Sequence, residues 1–326
     1  MTGERAPLIL DIKGNSLDDG PGIRAVIFFK GCPLSCAWCH NPESRKAGPE
    51  IAFDAKKCIG CGACREACPE RALSEENPCY IDRGRCTLCF ACVQECPSGA
   101  LERVGGEMSV QDILNKVLPD KPFFDVSGGG VTLSGGEPTL FMGFVSGLLE
   151  ALRQEKIHTL IETCGQFDME RFMAMIYPHT DAIYFDLKIM DPALHKTFCG
   201  VTNDRILANF ARLARQAAED HKEVLPRTPL IPGITDTGEN IRGIARFLQG
   251  LGVTRADLLA YNPLWHDKSD KLGIHDPYRS SPAMATFSDR AVLERCREIF
   301  GQAGISTGPS GEGGGAPQAL ETGGGA

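Results

Sequence analysis

Two runs of cysteine repeat each other early in the chain. The first is Cys58-x2-Cys61-x2-Cys64-x3-Cys68-Pro69 and the second is Cys86-x2-Cys89-x2-Cys92-x3-Cys96-Pro97, with the same offset at every position. The repeat extends to Ala72-Leu73 against Ala100-Leu101, which marks an internal duplication. Twelve of the 15 cysteines lie between Cys32 and Cys96, and only Cys164, Cys199 and Cys296 fall outside. The start, Met1-Thr-Gly-Glu-Arg-Ala-Pro, lacks the hydrophobic stretch of a secretion signal, so a reducing cytoplasm is expected. Thiolates crowded together there hold metal sooner than they form disulfides. Cys79 is out of register with both runs and reads as a packed free thiol.

Each run has the spacing by which bacterial two-cluster ferredoxins hold [4Fe–4S] cubes, three close thiolates on one cube and the fourth reaching across to the other. On that pattern cluster one takes Cys58, Cys61, Cys64 and Cys96, and cluster two takes Cys86, Cys89, Cys92 and Cys68. The alternative is a pair of structural zinc sites. Those usually join two CxxC pairs across a longer spacer, which two tight proline-closed runs fit poorly. Composition sets the outer limits. With 42 % hydrophobic and 23 % charged residues the chain is an ordinary globular protein. Its 42 acidic against 34 basic residues, net −8, give no basic patch for nucleic acid. No run approaches the ~18–20 apolar residues of a membrane helix.

Around the cysteine block the pattern is of strands and helices. Leu8-Ile-Leu-Asp-Ile-Lys is apolar, Asp18-Asp-Gly-Pro-Gly-Ile-Arg is a loop, and Ala25–Phe29 is a β-branched and aromatic run of strand type. A Cys- and Pro-rich loop fills 31–49. From Met108 single helices alternate with strands. Ser109-Val-Gln-Asp has the form of a capping box opening a helix to about Leu118, with Asp112 in place of Glu or Gln. Strands are expected at 131–133, 158–163, 182–188, 223–231 and 256–261, with helices at 141–154, 168–176, 203–217, 237–250 and 288–303. Six strand–helix units imply parallel βαβ crossovers, and too few of them to close an eight-unit barrel. The expected fold is α/β, a partial (β/α)6 barrel over 1–49 and 106–307, with the two-cluster, ferredoxin-like insert at 50–105. A flat doubly wound sheet has the same periodicity. The tail at 308–326, with eight glycines in nineteen residues, is expected to be disordered.

The loop after the first strand reads Cys32-Pro-Leu-Ser-Cys36-Ala-Trp-Cys39-His40. Three cysteines can wrap one cube, and the absence of a fourth at comparable spacing leaves one iron open to a ligand. With Ser134-Gly-Gly-Glu-Pro138 after the second strand and a partial barrel, the chain resembles the radical S-adenosylmethionine (SAM) superfamily. Asp19-Gly-Pro-Gly-Ile-Arg24, Lys30-Gly-Cys-Pro-Leu-Ser-Cys-Ala-Trp-Cys-His-Asn-Pro42 and the insert narrow the resemblance to the activating enzymes of glycyl radical enzymes.

That resemblance implies three [4Fe–4S] clusters and reductive cleavage of SAM to methionine and a 5′-deoxyadenosyl radical. The radical takes a hydrogen from a glycine of a partner enzyme, and flavodoxin or ferredoxin supplies electrons. Cys32, Cys36 and Cys39 would hold the catalytic cube. Gly135, Gly136 and Glu137 match the segment that binds the cofactor's amino group. Trp38 matches the place beside the adenine, and Glu162, Thr163, Asp186 and Lys188 match pocket positions, the acidic pair being associated with a monovalent cation. Arg227 matches an arginine that reaches the cofactor carboxylate. Asp19 and His40 match positions near the partner's glycine-bearing peptide, while Asn262 stands where some relatives carry histidine. Cys164, Cys199 and Cys296 match no ligand position. An oxygen-labile protein of an anaerobic cytoplasm is implied. Two other readings stay open: a radical SAM enzyme acting on a peptide or small molecule with auxiliary clusters, and a ferredoxin-like electron carrier.

Overall fold

The computed structural model describes residues 6–308. The expected tail therefore lies, apart from Gly308, outside the described residues. In chain order the strands are β1 (Leu8–Ser16), β2 (Arg24–Lys30), β3 (Glu50–Phe53), β4 (Leu101–Val104), β5 (Gly106–Glu107), β6 (Gly130–Gly135), β7 (His158–Thr163), β8 (Ala182–Asp186), β9 (Glu223–Leu230), β10 (Arg255–Ala260) and β11 (Ser306–Thr307). Nine of them form one sheet in the order β11-β10-β9-β8-β7-β6-β2-β1-β5. From β2 through β6 to β10 every neighbour pairs in parallel. These are the six expected strands, and their spatial order follows chain order. A doubly wound sheet would reverse that order at a switch point; this one does not, and the sheet is an incomplete barrel. At one edge the barrel is extended by β1, antiparallel to β2, and at the other by the short β11.

The connecting helices form for local reasons. Ser109 and Asp112 make the reciprocal capping box that opens Val110–Val117, so aspartate serves where glutamate is usual. Asp168 caps Met169–Met175, Thr237 caps Gly238–Gly250 and Asp289 caps Arg290–Gln302, each side chain accepting a first-turn N–H. Alternate strand residues such as Ile27, Phe29, Val131, Leu133, Ile161, Ile183 and Phe185 pack outward against Leu148, Phe172, Phe210 and Ile244 of these helices. The intervening positions point into the barrel, and several are polar: Thr132, Ser134, Glu162, Asp186 and Arg227. Two of the helices that were not expected matter for the site. Pro192–Cys199 and Trp265–Leu272 both hold the loops that build the site.

The insert leaves the barrel at the end of β2 and is anchored at once. Lys30, fully buried, donates to Glu50 Oε2 at 2.8 Å and to the Glu43 carbonyl at 2.6 Å. On the far side Arg83 donates to the Leu272 carbonyl at 3.0 Å and Lys271 pairs with Asp54 at 2.9 Å. The duplication seen in the sequence persists in the backbone. Gly60 and Leu88, Gly62 and Phe90, and Arg71 and Gly99 are all left-handed, at φ +69°/+56°, +78°/+62° and +49°/+63°. The pairing of Phe53 with Leu101 in the β3–β4 ladder has its counterpart, at the repeat-related positions, in the bridge between Ile81 and Leu73. Among the described residues no helix is long and apolar enough to cross a membrane.

Candidate active site

The carboxyl ends of the parallel strands open onto one cavity of about 270 Å³. One wall is the loop after β2, which brings Cys32, Cys36, Trp38, Cys39 and His40 to the cavity. Ser35 N–H and Ala37 N–H donate to the carbonyls of Cys199 and Phe198 at 2.9 and 2.8 Å. Those carbonyls end the helix Pro192–Cys199 and have no acceptor duty within it, so the helix terminus fixes the thiol loop. Trp38 is buried against Phe198, ring centroids 6.4 Å apart.

The turn after β6 forms the second wall. Gly136 N–H donates to the Phe29 carbonyl at 2.9 Å and Glu137 N–H to the Gly31 carbonyl at 2.8 Å, stitching this turn to the start of the thiol loop. A Cβ on Gly136 would stand 2.1 Å from the Gly31 oxygen, and Gly135 has φ +101°. Only glycine permits that approach. Glu137, expected with these glycines in the segment for the cofactor's amino group, does not itself line the cavity. Its side chain is fully buried beneath the cavity, and Oε1 accepts from Thr139 Oγ1 at 2.7 Å and from Thr163 Oγ1 at 3.0 Å. Oε2 accepts Cys164 N–H at 2.7 Å. Both oxygens are spent on holding the ends of β6 and β7 together, and Thr163 shares that task.

The third wall is ionic. Arg227, 8 % exposed, stands between Glu162 and Asp186: its Nη1 donates to Glu162 Oε1, and Nε and Nη2 reach Asp186 Oδ1 at 3.3 and 3.2 Å. Lys188 Nζ donates to Asp186 Oδ2 at 2.8 Å, and Ser134 Oγ to Glu162 Oε2 at 2.6 Å. Burial opposes every charge here, yet the ion pairs win. Lys188 and Arg227 hold Asp186 below the usual carboxylate range, and the carboxylates hold both cations above theirs. Two carboxylates face two fixed cations, so the pair is already neutralised.

Asp19 lies outside this cavity. Its carbonyl accepts from Thr132 Oγ1 at 2.7 Å, one layer below Ser134, and its carboxylate is held by Ser16. His40 does reach the rim, where Asn262 also lines the cavity, with its carbonyl bound by Lys268 at 3.1 Å. Cys164 and Cys199, unassigned from sequence, prove to be neighbours of the thiol loop: Cys164 is buried against Cys32, and Cys199 against Cys36. Position directly after Glu162-Thr163 at a strand end was the signal for Cys164; nothing local marked Cys199. In the insert, one cavity is lined by Cys58, Cys61, Cys64 and Cys96, and another by Cys68, Cys86, Cys89 and Cys92. The groupings are the crossed sets expected from the spacing, and thiols are the donors that iron–sulfur cubes take. Cys79 also lines the first of them, its thiol donating to the Asp270 carbonyl at 3.0 Å.

Comparison with known proteins agrees with this geometry. Residues 79–248 match the Radical SAM superfamily, which takes in the second and third walls, and residues 51–74 match a 4Fe-4S binding domain, which takes in the first cysteine run of the insert. The chain is 39 % identical over 276 residues to the isethionate sulfite-lyase activating enzyme of Desulfovibrio desulfuricans, covering 83 % of this chain and 88 % of that one. It is 37 % identical over 305 residues to the trans-4-hydroxy-L-proline dehydratase activating enzyme of Clostridioides difficile, covering 92 % and 98 %. A radical SAM methyltransferase from Sphaerobacter thermophilus shares the fold, with a TM-score of 0.51 at 14 % identity over 92 % of this chain and 76 % of that one. The thiol loop, the glycine turn and the ion-paired wall thus sit in a chain that belongs to the glycyl radical enzyme activating enzymes of the radical SAM superfamily.

Proposed function

We propose that this enzyme installs a glycyl radical on one partner enzyme, with the walls of the barrel cavity in the following roles. The carrying observation is convergence: three thiols, a side-chain-free turn and a neutralised acid–base wall, far apart in sequence, line one cavity at the carboxyl ends of the strands. Cys32, Cys36 and Cys39 would hold a [4Fe–4S] cube. When bound, that cube would supply the electron for reductive cleavage of SAM, the chemistry from which the partner's glycyl radical arises.

The chain's own contribution is position and charge. Gly135 and Gly136 offer backbone without side chains, so a methionine ammonium can come within reach of carbonyl groups. Arg227 uses three of its donors on Glu162 and Asp186 and keeps others for a carboxylate. Trp38 provides an apolar ring for adenine, and burial of the wall keeps water from competing for these contacts. His40, at the rim, faces the incoming peptide. Glu137 acts one layer down by fixing the turn, and Thr163, which lines the cavity, ties the strand end to it.

Two further cubes in the insert, on the crossed cysteine sets, bring the total to three, reduced by a flavodoxin or ferredoxin in an anaerobic cytoplasm. The two named relatives activate chemically different enzymes, a sulfite-lyase and a dehydratase. Both are similarly close, so the partner is defined by carrying a glycine loop rather than by its substrate. The test is anaerobic reconstitution followed by dithionite reduction. The expected result is about twelve irons per chain, four for each cube, release of 5′-deoxyadenosine, and a glycine-centred paramagnetic signal on a co-incubated glycyl radical enzyme. Cleavage of SAM without that signal on any such enzyme would favour a peptide or small-molecule substrate; about eight irons without cleavage would leave only an electron carrier.

A further inference from the structure

The two halves of the insert repeat in backbone but not in what surrounds their sulfurs. The second cluster's set has a backbone donor, Ala72 N–H pointing to Cys68 Sγ at 3.4 Å. The hydroxyl donors lie on the first. Tyr80 Oη lies 3.4 Å from Cys64 Sγ, and Ser98 Oγ lies 3.7 Å from Cys96 Sγ. Both sulfurs line the first cavity. At the positions that the repeat pairs with Tyr80 and Ser98 the chain has Ala52 and Glu70, a methyl group and a carboxylate. On the second side the Thr87 hydroxyl lines the cavity without a bond to any of its four sulfurs.

Tyr80 is placed deliberately. Cys79 and Tyr80 are consecutive left-handed residues, at φ +53° and +67°, a conformation that side chains rarely adopt and that persists where the surroundings impose it. The surroundings are identifiable. The Cys79 thiol donates to the carbonyls of Asp270 and Lys271 at 3.0 and 3.3 Å, fastening the turn to the barrel helix Trp265–Leu272. The Tyr80 ring stacks on Phe53 at 4.5 Å between centroids. Together these contacts aim the phenol at Cys64.

We propose that Tyr80 is a tuning residue: its hydroxyl donates to the Cys64 sulfur and holds the cluster of Cys58, Cys61, Cys64 and Cys96 at a higher reduction potential than the cluster of Cys68, Cys86, Cys89 and Cys92. A thiolate bound to iron has no proton to give, so in the loaded protein the phenol is the donor. A hydrogen bond on a ligand sulfur withdraws negative charge and favours the reduced, more negative cube. Ser98 adds a weaker contribution on the same cluster. The inference rests on the reading of the insert as a two-cube carrier.

The test uses full-length protein loaded anaerobically, with redox titration followed by electron paramagnetic resonance. Tyr80→Phe keeps the ring on Phe53 and removes only the donor. The expected result is unchanged iron, one insert potential shifted negative and the other unmoved; Ser98→Ala shifts the same one further. The cluster that moves is expected to be the one perturbed by Cys61→Ser. In resonance Raman spectra of the native protein a cysteinyl Fe–S stretch should move in D2O, and that sensitivity should weaken in Tyr80→Phe. Unmoved potentials at full iron, a shift in the cluster perturbed by Cys89→Ser, or no D2O-sensitive stretch in the native protein would each overturn the proposal. The last measurement can overturn it even if Tyr80→Phe fails to load. Native protein taking up iron for a single cube would instead refute the two-cube insert itself.

Discussion

Glu137 Oε2 accepts the backbone N–H of Cys164 at 2.7 Å, tying the turn after β6 to the end of β7 beneath the cavity. The carboxylate has four donors on it, counting Thr139 N–H, Thr139 Oγ1 and Thr163 Oγ1. An amide keeps only one accepting oxygen and would turn N–H bonds toward groups that are themselves donors. Glu137→Gln is therefore expected to lower stability by about 2 kcal/mol, the cost of leaving buried donors unpaired, and to weaken SAM binding in parallel. Thermal unfolding of the loaded protein and SAM titration check both. Lost affinity with unchanged stability would mean that Glu137 contacts the ligand directly.

Arg227 carries a different expectation because it touches two carboxylates and lines the cavity. Arg227→Met leaves Glu162 and Asp186 facing each other with Lys188 alone to balance them. Breaking such a buried ionic set typically costs about 3–5 kcal/mol. Protein that still folds should load its clusters fully, since no thiol is touched, and bind SAM at least about tenfold more weakly. Lysine is no substitute, because one ammonium cannot span both carboxylates. Iron analysis beside a SAM titration separates the outcomes; iron loss in step with affinity would contradict the assignment.

The contrast between these two residues shows what the sequence could convey. Six strands and their helices were legible because alternation and helical period are local signals, and caps such as Asp168 and Asp289 stand beside the helices they open. The thiol loop and the crossed cysteine sets were legible because spacing along the chain is their signal. Partners across the barrel were not. Glu137 was a candidate by type, but where its carboxylate points depends on Thr163 and Cys164, 26 and 27 residues away. Arg227 bridges to Glu162 over 65 residues, and no periodicity announces that contact. The helix Trp265–Leu272 is mostly polar and short, so packing against the insert, rather than an apolar stripe, makes it helical.

Cys164 poses a sharper question, since it lies against Cys32 in the same cavity. If three thiols suffice for the catalytic cube, Cys164→Ala should retain about twelve irons per chain and continue to release 5′-deoxyadenosine. Cys36→Ala should drop to about eight irons and lose cleavage altogether. Iron quantitation and product chromatography of the two variants side by side give the answer. Loss of one cube in Cys164→Ala would make it a fourth ligand.

The most direct measurement is Mössbauer spectroscopy of iron-57-loaded protein before and after adding SAM. One iron subsite of one cube should change its isomer shift and quadrupole splitting on addition, equally in the native protein and in Cys164→Ala. A spectrum indifferent to SAM, or a distinctive subsite that vanishes when Cys164 is removed, would contradict a barrel cube held by Cys32, Cys36 and Cys39 alone.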